Sequence, residues 1–283
     1  MTKFHGKRTL ITGAASGIGR SLAIQAAEKG AKLVLMDINQ EGLDSLAAEL
    51  GSEKVLMHRA FDITDREAVE SFANDVHAAH GSVDLIVNNA GIAVWGTIDR
   101  FPHSEWRRLI EVNLMGPIHV LEVFVPPMME AGRGGHIVNI SSAAGLFGLP
   151  WHAAYSATKF GLHGISEVLR FDLERYGIKV SVVFPGAVDT GLVETVRVVG
   201  ADPTEPSYRE LKQRFQKHAV TPDKAAVAIL RGVEKNRYHI FTSPDIAVGD
   251  FFKRHFEFPY RMMMRKLNRQ FEEVAVKQGM MDK

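Results

Sequence analysis

The sequence predicts an α/β fold: a doubly wound, seven-stranded parallel sheet (Rossmann-like) with helices on both faces and a C-terminal helical tail. Short runs rich in β-branched residues recur along the chain. Segments with helical periodicity separate these runs, and several of the segments end at glycine. Strands that alternate with helices form a parallel sheet covered on both faces, and right-handed crossovers make it a single doubly wound domain.

Seven runs are predicted strands, and four longer segments are predicted helices. The strands are residues 8–12, 31–37, 54–62, 84–91, 136–142, 179–186 and 239–243. The helices are residues 21–30, 66–81, 104–132 and 160–177. We therefore expect one domain over residues 1–244. An insertion at about 190–221 and an extension at 245–283 break the rhythm, and loops this long in a compact domain are usually functional.

Composition excludes several classes of function. The 283 residues carry 34 basic and 33 acidic side chains, so no whole-protein field attracts nucleic acid or membrane. The absence of cysteine excludes disulfides, thiolate zinc sites and thiol nucleophiles. Histidines show no metal-ligand spacing, so we expect no metal. The N-terminus lacks the pattern of a signal peptide, and no run of 18 apolar residues occurs, so a cytoplasmic protein is expected.

The first predicted strand leads into a glycine-rich turn, "TGAASGIG", residues 12–19. Its glycines can bring main-chain N–H groups and a helix N-terminus against a pyrophosphate. The alternative is a tight turn with close helix packing, because the spacing differs from the standard dinucleotide fingerprint. The expected cofactor contacts in this turn are Gly13, Ser16, Gly17, Ile18 and Gly19.

Acidic and amide side chains follow the next three strands. Asp37 ends the second strand 24 residues after Gly13, where a carboxylate can bond the ribose 2′-hydroxyl of a dinucleotide, although helix capping is the alternative. No arginine at positions 16 or 38 would offset a 2′-phosphate, so NAD is the predicted cofactor. The further expected cofactor contacts at these strand ends are Asp62, Ile63, Asn89, Ala90 and Gly91.

The segment "YSATK" places a phenol and an ammonium four residues apart. On a helix, Tyr155 and Lys159 share a face. A cation within about 4 to 6 Å stabilises a phenolate and lowers its pKa, which would suit reversible proton transfer. Ser142 ends the fifth predicted strand, whereas Ser141 would point to the opposite face.

Five motifs in this order resemble the single-domain form of the short-chain dehydrogenase/reductase family. They are "TGAASGIG", "NNAG", "NISS", "YSATK" and "PGAVDT", and they span most of residues 8–190. The resemblance implies that Tyr155 is the proton donor and acceptor, Lys159 holds the nicotinamide ribose, and Ser142 bonds the substrate oxygen. It also implies that Asn113 supports a proton relay. The residues it places against the nicotinamide amide are Pro185, Gly186, Val188 and Thr190.

The resemblance predicts an NAD-dependent oxidoreductase that interconverts a secondary alcohol and a ketone. The insertion becomes the substrate loop, and its valines and leucine indicate a moderately apolar substrate such as a steroid, terpenoid or lipid, or else they pack on the core. These residues are Leu192, Val193, Val196, Val198 and Val199. His152 lines the substrate pocket or lies exposed. Alternatives are an NADPH-dependent 3-oxoacyl-thioester reductase and a non-catalytic dinucleotide-binding regulator. A homodimer or homotetramer is expected, through helices at about 104–130 and 155–176.

The extension carries six Lys or Arg and one Glu in residues 251–271, interleaved with aromatic residues and methionines. From Tyr260 onward the spacing is that of an amphipathic helix, with Arg261, Arg265 and Arg269 on another face. Three alternatives remain: packing against protein as a subunit contact or lid, which we favour, peripheral contact with an anionic membrane, or a disordered end.

Overall fold

The computed structural model describes residues 1–189, 196–216 and 219–280. Its strands are β1 (Arg8–Thr12), β2 (Lys32–Asp37), β3 (Val55–Ala60), β4 (Leu85–Asn88), β5 (Val94–Trp95), β6 (Gly135–Ile140), β7 (Ile178–Phe184), β8 (Arg197–Val198) and β9 (His239–Phe241). Its α-helices are α1 (Gly17–Glu28), α2 (Gln40–Leu50), α3 (Arg66–His80), α4 (His103–Ile110), α5 (Gly116–Glu130), α6 (Ala153–Asp172), α7 (Pro206–Gln216), α8 (Pro222–Glu234), α9 (Pro244–His255) and α10 (Glu257–Lys277).

Seven strands form one parallel sheet in the order β3-β2-β1-β4-β6-β7-β9, which confirms the predicted fold. Strand β1 pairs with both β2 and β4, so the chain winds away from it in two directions. In open α/β sheets, ligands bind in a crevice at the carboxyl ends of the strands where the winding reverses. β5 and β8 form a separate two-stranded sheet that joins the segment before α4 to the predicted substrate loop.

Alternate residues of each strand face opposite layers of helices. Leu10 and Ile86 belong to a core with residues of α3 and α5, whereas Ile11 and Val87 belong to a core with residues of α1 and α8. The β-branched and leucine-rich strands are buried on both faces for this reason. The sheet is therefore held rigidly between two apolar layers, with its carboxyl edge open to a ligand.

The segment predicted as one helix over 104–132 is divided. α4 and α5 are joined by a π-helical turn, Glu111–Met115, which contains Asn113. Within the described residues one stretch, His103–Glu130, is long and apolar enough to cross a membrane by length and composition. Phe124 and Val120 of this stretch lie fully buried in the core. Packing of this stretch against the sheet therefore explains why it is so apolar.

Candidate active site

The glycine turn lies between β1 and α1. Gly13 and Gly17 adopt φ of 66° and 52°, the left-handed region that glycine enters without steric cost. A Cβ on Gly19 would lie 2.0 Å from the Gly13 carbonyl oxygen, so the turn and helix fit only without side chains. Among the described residues, Ser16 makes no side-chain cap to α1, and the first turn holds no acid. The main-chain N–H groups of this turn and of the start of α1 therefore fit an anionic pyrophosphate.

Asn89 ties the end of β4 to this turn. Its Nδ2 donates to the carbonyl oxygens of Thr12 and Gly13, both at 3.1 Å. In return, the Thr12 hydroxyl accepts from the main-chain N–H groups of Asn89 and Ala90, both at 3.0 Å. Thr12 was not among the predicted site residues, because its position at a strand end is its only sequence signal. Asn89 therefore acts here on the shape of the turn, and any contact with a cofactor stays a prediction.

Asp37 stands at the end of β2 with both carboxylate oxygens bonded to main chain. Oδ2 accepts from the Ala15 N–H at 2.9 Å, and Oδ1 accepts from the Asn39 N–H at 3.0 Å. The cap of α2 is Asn39, whose side chain accepts from Gly42 N–H. A carboxylate offers about four lone-pair sites, so Asp37 can still accept from a ribose hydroxyl.

Asp62 and Ile63 follow β3 and differ in exposure. Asp62 is exposed, and its Oδ1 accepts from the Thr64 N–H at 2.9 Å. Ile63 is buried in the core, where a Cβ on Gly116 would lie 2.8 Å from its Cγ2. Asp62 is thus accessible at the sheet edge, whereas the side chain of Ile63 packs inward.

Helix α6 presents Tyr155 and Lys159 on its buried face. The Tyr155 phenol lies near enough to the Ser142 hydroxyl for that hydroxyl to act on its pKa. The Lys159 ammonium lies 5.8 Å from the centroid of the Tyr155 ring and donates to the Ile140 carbonyl at 3.1 Å. Ser141 points away from this group and donates to the Lys159 carbonyl at 2.9 Å. A hydroxyl, a phenol and an ammonium are therefore brought together where β6 ends.

Burial dominates the titration of this group. It raises the pKa of Tyr155, and the Ser142 hydroxyl acts in the opposite direction. It lowers the pKa of Lys159 to about 8. The predicted lowering of the Tyr155 pKa is wrong for the protein alone, because the cost of burying a phenolate outweighs the opposing effect of Ser142. Lys159 still carries its charge at neutral pH.

Asn113 is fully buried in the π-helical turn and is committed to main chain. Its Oδ1 accepts from the Ile92 N–H and its Nδ2 donates to the Ile92 carbonyl, both at 2.8 Å. A Cβ on Gly91 would lie 3.1 Å from this Oδ1 and 3.4 Å from Lys159 Nζ. Asn113 thus holds the segment after β4 close to Lys159, and its part in a proton relay stays a prediction.

The segment after β7 reaches the same edge. The Pro185 carbonyl accepts from the Ala143 N–H at 2.8 Å, and the Gly186 N–H donates to the Thr242 hydroxyl at 3.3 Å. Val188 is buried and bridges to Val220. Thr190 lies outside the described residues, as do Leu192 and Val193.

Aromatic rings lie near Tyr155. His152 is buried, which overturns the alternative of an exposed loop histidine, and burial lowers its pKa to about 4. Its ring lies 6.3 Å from Tyr155 and 4.4 Å from Trp95. Phe271 of α10 is 1% exposed and lies 6.1 Å from His152. The sequence indicated that the tail packs somewhere, but nothing in it identified this contact.

Trp151 joins this aromatic group under backbone strain. Its φ is 65°, a conformation that costs a bulky residue about 1–2 kcal/mol. Stacking on Phe271 at 5.3 Å and a hydrogen bond from Gly96 N–H to its carbonyl hold it there. The loop before Tyr155 is thus fixed by a residue 120 positions away in the chain.

Two valines of the predicted substrate loop pack beside Tyr155. Val196 and Val199 contact the apolar cluster that includes Tyr155, Ala144 and Val94. Val198 is buried in β8. The alternative that these valines pack on the core is confirmed, and their part in a substrate site stays a prediction. Among the described residues, no group of three or more His, Asp or Glu side chains is placed to hold a metal ion.

Comparison with known proteins identifies the class. The family model for short chain dehydrogenase matches residues 7–198. A mycobacterial protein named as an oxidoreductase, SadH of Mycobacterium tuberculosis, is 36% identical over 90% of this chain and 92% of its own. The C alpha-dehydrogenase of Sphingobium sp. strain SYK-6 is 34% identical over 91% and 86%. A short-chain dehydrogenase/reductase from Burkholderia phymatum, solved in complex with NAD, has a TM-score of 0.80 and 30% identity over 90% and 95%.

The chain belongs to the short-chain dehydrogenase/reductase family. It is an oxidoreductase of that family with a Rossmann-like fold.

Proposed function

We propose that this protein interconverts a secondary alcohol and a ketone with NAD on a moderately apolar substrate. The observation that carries the proposal is the placement of Tyr155 near Ser142 and within 5.8 Å of the Lys159 ammonium, measured to the ring centroid, at the carboxyl edge of the sheet. The family relationship supports the class of reaction, and the relative solved with NAD supports the cofactor.

The side chains divide the proton chemistry among them. The nicotinamide ring supplies or accepts the hydride when the cofactor is bound. Ser142 orients the substrate oxygen, and Tyr155 gives its proton to that oxygen during reduction or takes one during oxidation. The charge of Lys159 stabilises the phenolate that remains. Because burial raises the pKa of Tyr155, the phenol holds its proton at neutral pH, which is the form that ketone reduction needs.

The sign of this pKa shift gives a pH test. The reduction rate should be constant near neutral pH and fall as alkaline pH removes the phenol proton. The oxidation rate should rise over the same range. Opposite profiles in the two directions support Tyr155 as the acid–base group, and parallel profiles would contradict it.

Cofactor choice rests on Asp37. Each unit of negative charge on a 2′-phosphate about 4 Å from the Asp37 carboxylate would cost about 4 kcal/mol at an effective dielectric of 20, and solvent screening reduces this figure. We expect kcat/KM to be higher with NAD than with NADP. Ile38 is 72% exposed beside Asp37, so Ile38→Arg should raise kcat/KM for NADP at least about tenfold by pairing with the phosphate. Ile98→Arg, at an isoleucine 74% exposed elsewhere, is the matched control. A wild-type preference for NADP would favour the thioester reductase instead.

The apolar side chains around Tyr155 support the proposal of a moderately apolar substrate. Valines and aromatic rings pack around the phenol, and Trp95 and Phe271 extend this surface. A panel of secondary alcohols with increasing apolar surface should show rising kcat/KM, measured from NADH formation. A preference for small polyols would contradict the assignment. Failure of every alcohol and ketone, with NADH still bound, would leave a non-catalytic dinucleotide-binding regulator.

We also propose a homodimer or homotetramer through α5 and α6. Phe171 and Val168 of α6 are 62% and 57% exposed. An open groove beside them is lined by apolar side chains that include Leu121, Met129 and Leu169. Sedimentation velocity should show a dimer or tetramer, and Phe171→Ser should lower its association constant. A wild-type monomer would exclude this assembly.

A further inference from the structure

The two C-terminal helices are fixed to the body of the protein by their inner side. Phe271 and Ala275 of α10 are buried, and the Tyr260 hydroxyl accepts from the Gly148 N–H at 3.2 Å. Lys253 of α9 donates to the Leu146 carbonyl. The apolar face predicted from sequence is therefore largely used for packing against this chain, and the helices present a defined outer surface.

Aromatic rings nevertheless lie exposed where α9 meets α10. Phe251, Phe252 and Phe256 are 55%, 45% and 48% exposed. Their ring centroids are 5.6 to 6.3 Å apart, so they form one continuous apolar patch. Contiguous exposed apolar surface of this kind marks an interaction site.

The exposed face of α10 adds further apolar side chains and positive charge. Phe258, Met262, Arg265 and Arg269 follow helical spacing and are all exposed, so they share one face. Among the described residues, no carboxylate lies within ion-pair distance of Arg265 or Arg269. Arginines four residues apart repel each other on a helix. Glu272 lines the same groove as Arg265 and Arg269 and balances one of these charges, and an anion from outside would balance the other.

Charge decides which partner fits. A two-fold contact between copies of this chain would set the basic face against itself, which like charges oppose. An anionic lipid surface offers phosphates for the arginines and an acyl boundary for the phenylalanines. We infer that the outer face of α9 and α10, centred on Phe251, Phe256, Phe258, Met262, Arg265 and Arg269, docks the protein on an anionic membrane. The inference does not depend on the reaction proposed above.

Vesicle sedimentation with the full chain tests this docking. Wild-type protein should pellet with phosphatidylcholine vesicles that contain phosphatidylglycerol, and much less with phosphatidylcholine alone or in high salt. The triple variant Arg265→Gln/Lys266→Gln/Arg269→Gln should bind the anionic vesicles at least about tenfold more weakly, because each basic residue near the surface adds to binding. The variant Phe251→Ser/Phe258→Ser should weaken binding to both vesicle types.

A matched control removes the same charge elsewhere. Lys54→Gln/Arg231→Gln/Lys235→Gln takes three exposed cations from other surfaces and should bind like wild type. Circular dichroism and the Kd for NADH verify that each variant is folded. The inference is overturned if wild type does not bind anionic vesicles, or if the control loses as much binding as the tail variant. It is also overturned if the tail variants leave vesicle binding intact but dissociate an oligomer, since a second copy then covers the face.

Discussion

Asp84, at the amino edge of the sheet, is buried among three cations, whereas Lys159, at the carboxyl edge, is buried with its ammonium bonded to one carbonyl. Asp84 lies within ion-pair distance of Lys7, Arg8 and Arg133 and accepts from the Arg8 N–H. The ammonium of Lys159 reaches only the Ile140 carbonyl among the described protein groups. At one edge of the sheet the buried charge has oppositely charged partners, and at the other edge it has a single hydrogen bond to a carbonyl.

The pKa values express this difference. Burial alone would raise the pKa of Asp84, but the Arg8 N–H and the charges of its partners outweigh it and lower the pKa. No such compensation acts on Lys159, whose pKa falls to about 8. The lowered pKa means that ionised Asp84 stabilises the native state relative to protonated Asp84, whereas unpaired buried charge costs stability and remains available for chemistry.

Tyr155→Phe should have the largest effect. It removes the acid–base oxygen and keeps the ring, so kcat should fall by about 10²–10⁴ while the Kd for NADH stays within about twofold. Steady-state kinetics with chemistry rate-limiting, and fluorescence titration of NADH, measure the two quantities. More than about a tenth of wild-type kcat would show that Tyr155 is not the proton donor and acceptor.

Lys159→Met should lower kcat and yet stabilise the protein alone. The native pKa of Lys159 lies below its value in the unfolded chain, so below pH 8 the charged form destabilises the native state. That cost fades as pH rises from 8 to 10.5, where the unfolded lysine also loses its proton. At pH 7 the free energy of unfolding should rise by at most about 3 kcal/mol. Denaturant titration at pH 7 and pH 10 measures it, and a loss of stability at pH 7 would refute the burial cost.

Asp84→Asn should show the reverse pattern, with a smaller magnitude. The free energy of unfolding should fall by about 1–3 kcal/mol. The loss is smaller than for a fully buried ion pair, because the three cations are partly exposed and solvent screens them. Since the native pKa of Asp84 is depressed, its contribution is complete above pH 4 and is lost as pH falls through that lowered value. Unfolding curves of variant and wild type should converge in strong acid. The kcat should stay within about twofold, and a larger loss would place Asp84 in the catalytic machinery.

The residues at the carboxyl edge of the sheet could be predicted from the sequence, because the patterns that indicate them are local. Glycines in a strand-to-helix turn, an acid at a strand end and a Tyr–Lys pair one helical turn apart can each be read within a few residues. The bonds of Thr12 with Asn89 and the stacking of Trp151 on Phe271 could not be predicted, because the partners lie 77 and 120 residues apart and no periodicity links them. The direction of the Tyr155 pKa was misjudged for a related reason, since burial depends on the whole fold.

Positions around the glycine turn differ in how freely they can be substituted during evolution. A side chain at Gly19 would displace the Gly13 carbonyl, and replacing Asp37 would release two main-chain N–H groups, so neither position can drift without disturbing the turn. Ser16 and Ile38 are exposed and carry no such constraint. Substitutions at those two positions alone could change which dinucleotide the descendants of this chain prefer, with or without a 2′-phosphate on the adenosine ribose. The fold around the glycine turn would stay the same.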